Sequence, residues 1–395
     1  MTAIGIHDLE LATAHHVVDL TGLAESKSID PAKYVLGLGQ TEMSVPAPDE
    51  DIVTMGAAAA LPILERNGTE GIRTLLFATE SGVDQSKAAG VSAHALLNLP
   101  SSVRVVEFKQ ACYAGTAALQ SAIGIVSRNP GERVLIIASD VARYDLDSAA
   151  EPTQGAGAVA MLVAADPALV EIEPLNGIAT ADVDDFWRPN DSSTAIVDGA
   201  LSVSAYLDAL TGAWNDLAER GGPGIDEIDR ILYHQPFTKM AKKAQQRLAE
   251  VTGAQLSTAL SENEASEGRE TGLEMGSRYN RRLGNSYTAS LYAALAALLD
   301  HDKGLAGNRL GFFSYGSGSV SEFFTGIVQP GYDERRDAAR AARMLDGRAP
   351  LEIADYRELH GAEYPSAADL ETSRVTASPF RFAGIRNRAR RYERS

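Results

Sequence analysis

Three residues of this 395-residue sequence have types and settings that suit covalent chemistry: Glu80, Cys112 and His234. Cys112 is the single cysteine. It follows Val105–Gln110 and opens a run of small residues, Cys112-Tyr-Ala-Gly-Thr-Ala-Ala-Leu119. If that run is a helix, its N-terminus favours a thiolate and lowers the thiol's pKa. A buried, inert thiol is the equally open reading. Glu80 lies in Ala78-Thr-Glu-Ser-Gly82, just past an apolar run. A carboxyl at a buried strand end can have a raised pKa and act as a base; an acid that starts a helix fits the same residues. His234 follows Ile231-Leu-Tyr233 and precedes Gln-Pro, a place for either a hydrogen-bonded core histidine or a proton donor. Thiol, carboxyl and imidazole together suit thioester chemistry. A thiolate takes an acyl group, a carboxylate removes an α-proton, the new carbon nucleophile adds to a second carbonyl, and water cleaves the enzyme thioester. Lys239 and Lys243 share one helix face, with Lys242 beside them, as a solvated face or as a phosphate clamp.

These residues need elements to hold them. Apolar, β-branched runs predict strands at 73–78, 133–138, 156–163, 230–233, 309–314 and 322–328. Helix-like runs lie at 52–66, 112–128, 202–220, 237–251, 286–299 and 334–345. The alternation predicts a largely parallel sheet covered on both faces. Asp49-Glu50-Asp51 is a helix start, because negative charge suits a helix N-terminus. The order strand, small-residue helix, strand, strand occurs twice. In the first pass Glu80 ends the strand and Cys112 opens the helix; in the second His234 and Asn285 take those places. This predicts a duplicated αβ unit, with halves at 1–166 and 167–395. Both small-residue helices are apolar on nearly every side and are expected to be buried, back to back, with their N-termini facing one pocket. Asn285 could then orient a reacting carbonyl. Residues 261–277 read as an exposed loop or frayed helix. The arginine-rich end is expected to fold Phe380, Phe382 and Ile385 back onto the body.

Composition narrows the function classes. Lys and Arg number 36 against 53 Asp and Glu, for a net charge of −17. That disfavours nucleic acid and anionic membranes as partners. The apolar run 291–299 falls short of the roughly 20 residues a bilayer demands, and the N-terminus lacks the pattern of a secretory leader. With one cysteine and scattered histidines no metal is expected, and a reducing cytoplasm suits the chain. Gly155-Ala-Gly-Ala-Val-Ala160 matches a loose dinucleotide fingerprint, but it opens a strand-like run instead of a helix.

Motifs along nearly the whole chain resemble the hydroxymethylglutaryl-CoA (HMG-CoA) synthase family of the bacterial mevalonate type. They include Ile4-Gly-Ile-His7, Val35-Leu-Gly-Leu-Gly-Gln-Thr-Glu-Met-Ser-Val45, Ala78-Thr-Glu-Ser81, Gln110-Ala-Cys-Tyr113, Glu151-Pro-Thr-Gln-Gly155, Asp185-Phe-Trp-Arg-Pro189, His234-Gln-Pro-Phe-Thr-Lys-Met240, Gly284-Asn-Ser-Tyr-Thr288 and Ser314-Tyr-Gly-Ser-Gly-Ser319. The resemblance implies a thiolase-like fold, layered αβαβα, and a homodimer. It implies acetyl-CoA and acetoacetyl-CoA as substrates, with no separate cofactor. Cys112 would carry the acetyl group, Glu80 would be the general acid/base, and His234 would polarise the ketone. Tyr144, Thr153, Ser202, Asn285 and Ser317 would line the substrate pocket. Lys239 and Lys243, and less directly Asp30 and Pro31, would hold CoA. A polyketide β-branching synthase acting on an acyl-carrier-protein substrate, a ketoacyl synthase-like condensing enzyme and a non-catalytic thiolase-fold subunit are the alternatives.

Overall fold

The computed structural model describes residues 2–362 and 368–394. Its first half runs β1 (Ile4–Thr13), α1 (Ile52–Asn67), β2 (Ile72–Ala78), α2 (Ala89–Leu96), β3 (Arg104–Phe108), α3 (Ala114–Arg128), β4 (Arg133–Ala142) and β5 (Gly155–Ala165). The second half runs β6 (Val170–Thr180), a small hairpin of β7 (Phe186–Trp187) and β8 (Ile196–Val197), α4 (Gly199–Glu219), β9 (Arg230–Tyr233), α5 (Thr238–Thr252), α6 (Ser290–His301), β10 (Arg309–Gly316) and β11 (Val320–Val328).

The large sheet is ordered β9-β10-β11-β6-β1-β5-β4-β2-β3. About β6 and β1 the sequence of pairings mirrors itself. In each half two parallel strands (β2 and β4; β9 and β10) meet an antiparallel strand (β5; β11), which meets the half's first strand. A duplicated unit is therefore visible in strand register. The sheet is not largely parallel. Of its eight pairings among the described residues only β9–β10, β2–β4 and β2–β3 are parallel. Within each half the last two strands follow one another without a crossover helix, and such a connection leaves them antiparallel.

The core is layered. One cluster joins α3 and α6 with strand residues from both halves, such as Leu76, Ile136, Val159, Leu232, Phe312 and Phe324. A second packs α1 and α2 on the outer face of the first half, and a third packs α4 and α5 on the outer face of the second. The result is the αβαβα order. Leu291–Leu299 of α6 are buried at every position, as an all-round apolar helix demands.

Local chemistry explains the entry to α1. Asp51 accepts from the N–H groups of Val53 and Thr54, and Thr54 Oγ1 accepts from Asp51 N–H, closing a capping box. Glu50 turns away and accepts from His15 N–H and Ala47 N–H. Residues 261–277 divide: the first part is irregular, whereas Leu273–Ser277 form a helical turn with Leu273, Gly276 and Ser277 buried. A hairpin of β12 (Phe380–Arg386) and β13 (Ala389–Arg394) closes the chain, with Phe380, Phe382 and Ile385 buried and Arg390 paired to Asp51 at 2.7 Å.

Candidate active site

Glu80 stands two residues past β2 and His234 one residue past β9, the corresponding strand ends of the two halves. Cys112 lies in the turn before α3, not in its first helical turn, which begins at Ala114. Ala111 holds φ 43° and so turns the backbone sharply just ahead of the thiol. In the second half Tyr287, two residues after Asn285, holds φ 46°. The Asn285 turn crosses the start of β5 at close range: a Cβ on Gly155 would come within 2.3 Å of the Leu283 carbonyl oxygen. Glycine is required there for the two backbones to touch.

The thiol of Cys112 donates to Glu80 Oε1 at 3.1 Å. Both side chains keep a little accessible surface, and Cys112 opens on a cavity of about 560 Å³. Around them the protein is dense. Burial first, then the nearby Asp140 charge, pushes the Glu80 carboxyl up to about 8. Burial also pushes the Cys112 thiol well above its usual value, and the Glu80 carboxylate adds to the effect. This corrects the helix-terminus expectation of a lowered thiol pKa. The thiol starts in the turn outside the helix, and desolvation with a carboxylate neighbour outweighs the dipole. The Cys112 thiol therefore rests protonated and hydrogen-bonded to Glu80.

His234 lines the same cavity. Its N–H donates to the Phe313 carbonyl at 2.9 Å, and its own carbonyl accepts from Tyr206 O–H at 2.7 Å. Its Nε2 is buried without a protein partner. Burial holds the imidazole down to about 3, so the ring is neutral at physiological pH and can offer a hydrogen bond without carrying charge. Asn285 Oδ1 accepts from Tyr287 N–H at 2.9 Å, which aims the amide nitrogen toward Tyr144 Oη, 3.5 Å away.

The cavity wall brings together Cys112, His234, Tyr144, Thr153, Ser202, Asn285 and Ser317. Asp30 and Pro31 lie outside it, at the start of a short helical turn, 32–35. That segment is nevertheless tied to α5: Lys239 Nζ donates to the Leu36 carbonyl at 3.2 Å, and Lys239 N–H donates to the Leu38 carbonyl at 2.8 Å. Leu38 and Met240 in turn line the cavity. Lys243 is exposed on the same helix, while Lys242 pairs with Glu264.

Sequence reasoning missed Asp140, which organises the site from beneath. Its Oδ1 accepts from Thr79 Oγ1 (2.7 Å), Glu80 N–H (2.9 Å), Ser81 N–H (3.0 Å) and Ser81 Oγ (2.8 Å). Its Oδ2 accepts from Thr288 N–H at 3.1 Å and from the Thr288 hydroxyl. One buried carboxylate thus fastens the Glu80 loop of the first half to the Asn285 turn of the second. A charge buried with this many donors is tolerated where a bare one is not. Phe186, Tyr144 and Tyr287, edge to face in pairs, were also not singled out as a cluster. The available signal was Ser139-Asp140 ending an apolar run in the same manner as Thr79-Glu80.

Fold and site together define a thiolase-like protein of two fused αβ halves, with a cysteine–carboxyl pair facing an imidazole and an amide. Family models described as hydroxymethylglutaryl-coenzyme A synthase N terminal and C terminal match residues 1–168 and residues 170–275 and 273–360. The chain is 38% identical over 391 residues to hydroxymethylglutaryl-CoA synthase of Enterococcus faecalis, covering 98% of this chain and 99% of the relative. It is 34% identical over 377 residues to the polyketide biosynthesis 3-hydroxy-3-methylglutaryl-ACP synthase PksG of Bacillus subtilis, covering 91% and 88%. A crystal structure of HMG-CoA synthase complexed with CoA superposes with a TM-score of 0.92 at 33% identity, over the whole of both chains. MvaS in complex with 3-hydroxy-3-methylglutaryl coenzyme A superposes at 0.89 and 36% identity, covering 100% of this chain and 99% of that one. The chain belongs to the hydroxymethylglutaryl-CoA synthase family.

Proposed function

We propose that the chain condenses acetyl-CoA with acetoacetyl-CoA and water, giving (S)-3-hydroxy-3-methylglutaryl-CoA and CoA in the mevalonate route to isoprenoid precursors. The observation that carries the reading is the 3.1 Å contact of Cys112 Sγ with Glu80 Oε1, on a cavity whose other walls present His234 and Asn285. Sulfur attacks the acetyl-CoA carbonyl, and the thiol proton passes to the departing CoA sulfur. Glu80 then removes a methyl proton from acetyl-Cys112, and the carbon nucleophile adds to the acetoacetyl ketone. His234 and Asn285 polarise the carbonyls, Glu80 returns its proton to the new alcohol oxygen, and water cleaves the Cys112 thioester. Groups aimed at developing oxyanions in a closed site are worth far more than in water.

Tyr144, Thr153, Ser202 and Ser317 shape the acyl pocket in this reading. Lys239 and Lys243, with the segment at Asp30 and Pro31, hold CoA at the mouth. The CoA thioesters are substrates, and no cofactor enters. We take the halves to meet at 166/167 and the working enzyme to be a cytoplasmic homodimer. No described helix is long and apolar enough to cross a membrane.

The test is intact-protein mass spectrometry with acetyl-CoA and then acetoacetyl-CoA. The expected course is one acetyl group on Cys112, discharged as HMG-CoA. Discharge by an acetoacetyl carrier protein alone would move the chain to the polyketide branch.

A further inference from the structure

The Asp185–Pro189 segment takes no part in the chemistry above, yet it reaches the acid/base. Arg188 Nη2 donates to the Glu80 carbonyl oxygen at 2.8 Å. The N–H of Glu80 donates to Asp140 at 2.9 Å. Both main-chain polar groups of Glu80 are therefore held by side chains, buried Asp140 and exposed Arg188, from different halves of the molecule. The hairpin that carries Arg188 is itself fixed. Buried Asp185 accepts from Tyr315 O–H at 2.8 Å and from Gly318 N–H at 2.9 Å. Phe186 packs edge-on against Tyr144 and Tyr287 with centroids 6.2 and 5.9 Å apart.

We propose that Arg188 is a positioning residue for Glu80: it fixes the Glu80 peptide from the side opposite Asp140 and keeps a positive charge beside the carboxyl. Glu80 is faced by Asp140 from β4, Cys112 from the turn before α3, Tyr144 and Tyr287 from the cavity wall, and Arg188 from the hairpin. Asp140 disfavours the ionised carboxylate and Arg188 favours it. Loss of Arg188 therefore makes Glu80 harder to ionise, and the acidic limb of any step that needs the carboxylate moves to higher pH. A loosened peptide also misplaces the carboxyl, which costs rate more than binding.

The proposal rests on the condensation reading, so its test separates acetylation from condensation. Enzyme acetylated on Cys112 is mixed with acetoacetyl-CoA, and a single turnover is followed across the Glu80 titration for wild type, Arg188→Met, Arg188→Gln and Arg188→Lys. Arg188→Met and Arg188→Gln are expected to take up one acetyl group per chain and to condense about tenfold more slowly. Their acidic limb should rise by about half a pH unit, the size expected of one exposed charge a few ångströms away. Arg188→Lys should bring the limb back while recovering only part of the rate, because an ammonium keeps the charge but not the planar fork. An unmoved limb in both neutral variants overturns the proposal. Equal loss of acetylation and condensation overturns it too, as that marks a general structural role. A wild-type chain that takes no acetyl group defeats the condensation reading itself, visible before any variant is compared, and this inference with it.

Discussion

The two halves of the molecule repeat one topology and use it for opposite electrostatics. At the first half's strand end stands a carboxyl, and before its central helix a thiol; burial raises both pKa values, and one proton lies between them. At the second half's strand end stands an imidazole that burial holds neutral, and before its central helix an amide. In the proposed condensation the first half moves protons and forms bonds, and the second polarises without titrating. A duplicated scaffold brings Cys112, His234 and Asn285 to one cavity, with Glu80 hydrogen-bonded to the thiol, and desolvation then acts in opposite directions on acid and base types.

The sharpest way to break this division is Cys112→Ala. It should abolish acetyl-enzyme and turnover, read by intact mass and CoA release. Next comes Glu80→Ala, expected to reach one acetyl group per chain but to lose about 10²–10⁴ in condensation rate, the usual size of a proton-transfer group. On the second half, His234→Ala should cost about 10²-fold in kcat/KM for acetoacetyl-CoA, comparable to losing one oxyanion donor. It should leave acetylation near wild type. If His234→Ala removed acetylation as fully as Cys112→Ala, the division would fail.

Acidity offers a finer contrast. Condensation should rise with pH through the Glu80 titration near 8, while His234, neutral above about 3, contributes no limb in the working range. The smallest effect is on stability. A carboxyl whose folded pKa lies above its unfolded value contributes stability that is complete below the unfolded pKa and is lost as pH rises to the folded one. Glu80→Gln should therefore melt progressively higher than wild type between about pH 4.5 and 8, with the gap constant above; an equal gap at every pH would contradict the burial account.

Much of this contrast was legible in the residues because each of the four stands at an element's end, where type and position reinforce each other. Asp140 was not, because its partners at 79–81 and 288 come from distant parts of the chain and meet only on folding. Two central strands were also hidden. β1 carries Asp8 and Glu10, which look solvent-facing until Arg66 is seen to bridge them. β6 contains Pro174 and Gly177, residues that argue against a central strand. Gly177 is needed because a Cβ there would meet the Ala213 carbonyl oxygen of α4 at 1.9 Å. The parallel-sheet expectation failed in part for the same reason, since both missing strands pair antiparallel, and in part because β4–β5 and β10–β11 follow one another without a crossover helix.

The most direct test follows the Cys112 acyl group by intact mass in wild type and Glu80→Ala, first with acetyl-CoA and then with acetoacetyl-CoA. The account predicts that both chains take up one acetyl group, that wild type discharges it as HMG-CoA, and that Glu80→Ala retains it. Discharge by Glu80→Ala at the wild-type rate, or a wild-type chain that never acquires the acetyl group, would contradict it.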